Sequence, residues 1–121
     1  SLFEARWDGE QKHFTQLDET GSYIWSSATL YTSAIINKRR QWFEKWLLEN
    51  AYPTASSIFN FHRFAGDGDN DNNVLMNRNG EMLTVSITGI DICLDAATMQ
   101  HFDLKENTHA SKSLQFESLA V

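Results

Sequence analysis

One cysteine in 121 residues leaves nothing to pair internally, so Cys93 excludes a disulfide framework and metal sites built on several thiolates. Basic charge is also scarce. Ten Lys and Arg stand against sixteen Asp and Glu, a formal net charge of −6, which argues against a nucleic-acid-binding surface. The one basic cluster, Lys38-Arg39-Arg40, is short and lies close to Glu44. No apolar run approaches the roughly 20 residues of a membrane span. No signal peptide is read in Leu2-Phe3-Glu4-Ala5-Arg6, which already alternates apolar and charged residues. The missing disulfides lean the chain towards the cytosol. There are no internal repeats, no low-complexity tract, no cofactor motif and no metal-ligand set to read.

What is present is enough for one core. Apolar residues make up 41% of the chain, with eight Phe, four Trp and three Tyr, so disorder of the whole is not expected. Residues 1–121 read as one domain or a fragment of one. The opening on Ser1, in mid-alternation, suggests a piece of a longer protein.

The pattern predicts an α+β fold of antiparallel hairpins packed with two helices. Leu2–Trp7 and Gln11–Leu17 flank Asp8-Gly9, a turn signal that sets Phe14 opposite Phe3. Thr32 or Ser33 caps a helix to about residue 50, striped by Ile35, Trp42, Phe43, Trp46 and Leu47. Arg39 falls on that stripe. Either its stem packs while its head reaches water, or its guanidinium meets a carboxylate, a chain terminus or a substrate. Pro53 ends this helix, and Thr54 caps a second one through Ala65, stopped at Gly66. His62 shares a face with Ile58, Phe61 and Ala65, as a satisfied core histidine or as a base.

Asn79-Gly80 marks the strongest hairpin signal, at the centre of residues 73–88. A two-residue turn there pairs Arg78 with Glu81, Met76 with Leu83 and Val74 with Val85, placing the last four on one face. Before it, Asp67, Asp69 and Asp71 have the alternate spacing that opens a calcium loop. Asn72 stands where glycine is needed and Arg78 where a bidentate glutamate is needed, so this reads as a solvated acidic loop. Gly89 suggests a bulge, Ile90–Leu94 and Thr98–Leu104 read as strands, and Cys93 reads as a small buried hydrophobe in the first of them. Leu114, Phe116 and Leu119 suggest an edge strand or a docked tail.

Several phrases occur in a telling order: Trp7-Asp8-Gly9, Ser26-Ser27-Ala28-Thr29-Leu30-Tyr31, Arg39-Arg40 before Trp42-Phe43, Phe61-His62-Arg63, and Val74-Leu75-Met76-Asn77-Arg78 leading to Thr84-Val85-Ser86-Ile87-Thr88. Over residues 2–90 the chain resembles the C-terminal part of the NRDE family, which includes transport and Golgi organisation proteins. The resemblance implies half of a four-layer αββα sandwich of the N-terminal-nucleophile (Ntn) hydrolase type. It implies hydrolysis of a C–N amide bond in a small-molecule substrate, needing the N-terminal half or a second chain to supply the nucleophile. The family's Asn-Arg-Asp-Glu motif and terminal cysteine are not found here, so no activity is expected of this chain alone. The site residues it implies are Ser26, Ser27, Arg39, His62, Thr84 and Ser86, as oxyanion or carboxylate contacts and positioning groups. The alternative is a non-catalytic ligand- or protein-binding module.

Overall fold

The computed structural model describes residues 1–117. Strands β1 (Leu2–Trp7) and β2 (Lys12–Leu17) precede helices α1 (Ser33–Glu49) and α2 (Ala55–Phe64). Strands β3 (Asn77–Arg78), β4 (Met82–Leu83), β5 (Ser86–Ile92), β6 (Ala96–Asp103) and β7 (Thr108–Gln115) follow. They form three small antiparallel sheets, β1-β2, β3-β4 and β5-β6-β7, so the fold is α+β. Among the described residues no helix is long and apolar enough to cross a membrane.

The first hairpin forms with a longer turn than Asp8-Gly9 alone predicts. Asp8 Oδ1 accepts from the backbone N–H of Glu10 at 2.8 Å and of Gln11 at 2.7 Å, which draws four residues into the loop. Phe14 therefore faces Ala5, and Phe3 faces Gln16. The slip is by two residues, so Phe3, Trp7 and Phe14 still share one face.

Both helices start where their caps dictate. Thr32 Oγ1 accepts from Ile35 N at 3.4 Å. Thr54 and Ser57 form a reciprocal capping box: Thr54 Oγ1 accepts from Ser57 N and Ser57 Oγ accepts from Thr54 N. The aromatic stripe of α1 meets α2 through Phe43 and Trp46, whose rings lie 5.6 and 5.3 Å from that of Phe61. Helix α2 packs in turn on β5, and Phe59 reaches Phe102 of β6 at 4.3 Å between ring centroids.

The central hairpin is a stub, and here the expected register is wrong. Asn79 and Gly80 do take positive φ, 55° and 73°. Yet Arg78 faces Met82, and Asn77 faces Leu83. Glu81 is taken into the loop as an extra residue, and a one-residue slip reverses the face of everything beyond it. Thr84 completes the change: its hydroxyl accepts from Met76 N at 2.9 Å while its own N–H donates to Met76 O at 2.8 Å. Met76 is buried, whereas Leu83 and Val85 are exposed. The three-stranded meander β5-β6-β7 is the larger sheet. Gly89 sits in its regular ladder opposite Gln100 without a bulge. Cys93 lies beyond the end of β5, exposed, in the turn closed by its N–H to Ala96 O at 2.8 Å. Leu114 lies in β7, the edge strand of this sheet, and Phe116 follows it; Leu119 falls outside the described residues.

The core is thin. Its buried apolar side chains are Phe61, Met76 and Ile87. Ile87 lies on the helix-facing side of the meander, opposite Phe102. On the reverse side Ile90, Ile92, Met99 and Leu114 are all exposed, as are Phe3, Trp7 and Phe14 on the first hairpin. The chain exposes 9747 Å². A folded monomer of 13.9 kDa exposes about 6,700 Å².

Candidate functional site

Arg39 is 7% exposed, the one buried charged side chain among the described residues. Its guanidinium meets neither water nor a carboxylate. Nε donates to Asn72 O at 3.1 Å and an Nη donates to Asn73 O at 2.6 Å. The group sits over the Tyr31 ring, its Cζ 3.7 Å from the centroid. Arg78 approaches the same ring at 5.5 Å and donates to Asp71 O and Leu30 O at 3.1 and 2.9 Å, so it is not the partner of Glu81 that the hairpin signal suggested. Tyr31 itself donates to Met76 Sδ at 3.3 Å. Two arginines and a tyrosine thus clip three separated segments together. Helix α1, the acidic loop and the approach to β3 all depend on them.

The acidic loop is closed on itself. Asp67 accepts from Asp69 N at 3.2 Å, and Asp69 from Asp71 N at 3.0 Å and the Asn72 amide at 2.8 Å. Lys38 pairs with Asp67 at 2.8 Å, and this contact holds the Asp67 carboxyl below its ordinary pKa. These bonds occupy the carboxylate oxygens of Asp67 and Asp69, while the Asn72 and Asn73 carbonyls accept from Arg39 and that of Asp71 from Arg78.

His62, near the end of α2, is exposed, so it is not the satisfied core histidine that its shared face with Ile58, Phe61 and Ala65 suggested. Partial burial lowers its pKa by desolvation. It stands between two cavities. One, of about 410 Å³, is a groove between α2 and the meander, with Ile58, Phe59, Ile87 and Phe102 as apolar wall and Thr98, Gln100 and Asp91 at the polar end. The other, of about 400 Å³, lies between the 22–25 segment and both helices.

The remaining implied site residues are dispersed. Ser27 Oγ accepts from Leu30 N at 3.3 Å and meets Thr29 Oγ1 at 3.0 Å, a turn before α1. Ser26 is half-buried beside it. Thr84 is bonded to Met76 as described and borders a third cavity with Arg63, Phe64 and Leu104. Ser86 opens β5 opposite Asp103. None of the cavities above is lined by more than one of the six residues. Arg39, Ser27 and Thr84 direct polar atoms at backbone groups. His62 alone faces open space with a titratable atom free of a described hydrogen bond.

The sequence did not mark Tyr31 and Arg78 as partners of Arg39 in this cluster, because the groups they meet lie in loops that become neighbours only on folding. A weak signal existed: Arg39 has no carboxylate three or four residues away on its helix, and Tyr31 stands just before a cap. No family model matches the chain, and neither a curated protein nor a solved structure matches it.

Proposed function

We propose that this chain is a binding scaffold, part of an NRDE-type, Ntn-hydrolase-like protein, that docks a complementary polypeptide and does not hydrolyse substrate by itself. The observation that carries this reading is the uncovered apolar surface. The chain exposes about 3,000 Å² more than a folded monomer of its mass, polar and apolar area together, and twenty large apolar side chains are among what is exposed. Seven of the twenty exposed large apolar side chains lie on two sheet faces, Phe3, Trp7 and Phe14 on one and Ile90, Ile92, Met99 and Leu114 on the other. Such faces belong to layers of a sandwich that has another layer to receive them. The dispersal of the six polar residues supports a scaffold without chemistry of its own.

A second reading is the amide hydrolase of the same family, assembled with the N-terminal half or a second chain that brings the nucleophile. It is favoured by His62, which presents an imidazole of lowered pKa to a groove large enough for a small substrate. Cytosolic placement and a role in transport or Golgi organisation would follow the family.

Native mass spectrometry of the protein from its source, with N-terminal sequencing of each chain, tests both. The scaffold reading expects a tight complex, or a longer polypeptide, in which the two apolar faces are protected from carbene labelling. Amide hydrolysis in that species and none in residues 1–121 alone would favour the hydrolase. A 13.9 kDa species that binds nothing would sink both.

A further inference from the structure

The cavity of about 400 Å³ between the 22–25 segment and the helices is walled by aromatic rings: Tyr23 and Trp25 from the segment, Phe43 and Trp46 from α1, Phe61 from α2. They form two ring groups, one from the segment and one from the helices, on either side of the space. Tyr23 and Trp25 stack at 5.8 Å, Phe43 and Trp46 at 6.1 Å, and Trp46 tilts over Phe61 at 5.3 Å. Aliphatic side chains fill the gaps, and no Lys or Arg lines the space. Its one titratable side chain from the helices is His62, whose pKa partial burial lowers.

Trp25 is held in place from outside. Its indole N–H donates to the Glu4 carboxylate, which also pairs with Arg6. That bond fixes the ring while leaving it 55% exposed, an unusual state for a tryptophan with apolar neighbours. Beyond Trp25, an adjoining cavity carries Glu4, Glu44, Arg6 and Arg40, whose formal charges cancel. The whole chain carries −6, which raises the local concentration of cations.

Aromatic faces carry negative potential, so a box of them without fixed positive charge selects an organic cation over a neutral body of equal shape. We propose that this cavity binds a quaternary ammonium group, its methylated head against the faces of Tyr23, Trp25 and Trp46. The volume lies in the range of small-molecule pockets and leaves room for a short tail beyond the head. The site is distinct from the exposed sheet faces and does not depend on what covers them.

The test is a calorimetric titration of the chain as purified, with any bound partner retained, using choline and its neutral isostere 3,3-dimethylbutan-1-ol. Choline should bind more tightly than the isostere by roughly three- to thirtyfold, the range of cation–π contributions. Trp25→Leu keeps apolar bulk and loses the π face, so it should remove that preference. Tyr23→Leu should weaken it, and the exposure of Trp25 makes the first variant safe for folding, as circular dichroism of the same sample would register. Phosphatidylcholine vesicles separate the sources. Binding to vesicles as well as to choline means a lipid headgroup reaches the site, and binding to choline alone means a free metabolite does. No choline binding, equal binding of the two isosteres, or full preference retained in Trp25→Leu would overturn the proposal.

Discussion

Arg39 illustrates how much one side chain can organise. Its fork bonds two consecutive carbonyls and its guanidinium carbon sits over Tyr31, a combination that Lys cannot reproduce. Truncation leaves both carbonyls unpaired in a partly buried place, so Arg39→Met should lower stability by about 3 kcal/mol, read from urea denaturation. Arg39→Lys should recover less than half of that loss. Equal stability of Arg39→Met and the parent would mean the clip is decorative. Asp8 offers a cleaner titration. Hydrogen bonds from Gln11 N, His13 and Glu10 N hold its pKa at about 2. A carboxylate depressed in the folded chain adds stability above its unfolded pKa of about 3.9, and that contribution is lost as pH falls through about 2. Carboxyl-carbon NMR should show Asp8 titrating well below the other exposed aspartates, and Asp8→Asn should loosen the first turn at pH 7. An ordinary midpoint near 3.9 would contradict the turn geometry.

At the scale of elements, the sequence was readable where local rules decide. The caps Thr32 and Thr54 begin α1 and α2 as composition predicts, because the orphan N–H groups of a first turn need nearby side-chain oxygens. Thr54→Ala should cost about 1 kcal/mol by breaking the capping box, measured as a lower thermal midpoint; no change would show that tertiary packing alone sets the start of α2. The hairpins were legible as hairpins and not in register. Asn79-Gly80 takes the expected φ values, but Thr84 and the extra Glu81 fix which strand residues meet. Asp8 enlarges the other turn through bonds to Glu10 and Gln11. Side-chain-to-backbone bonds of this kind leave little trace in hydrophobic periodicity. Gly89 and Cys93 were misread for a related reason: the ladder continues past a glycine when its partner strand is regular, and β5 ends one residue before Cys93. Of the candidate site, the inward stripe position of Arg39 was legible, and its partners were not, since they are carbonyls from a loop more than thirty residues away.

At the scale of the molecule, the layers run from the first hairpin through the Tyr23–Trp25 segment and the helices to the meander. Both ends of that stack finish in exposed apolar faces. Covering one Ile, Leu, Met or Phe is worth about 1.5–3 kcal/mol, so faces this rich should not stay open in water. With the complementary polypeptide absent, such faces should meet those of a second copy, and sedimentation velocity of residues 1–121 over a wide concentration range tests this most directly. The expected result is concentration-dependent association of the isolated chain, with Phe14→Lys and Ile90→Lys, one on each face, both shifting it to monomer while helical content is kept. A compact 13.9 kDa monomer at every concentration, unaffected by either substitution, would contradict it.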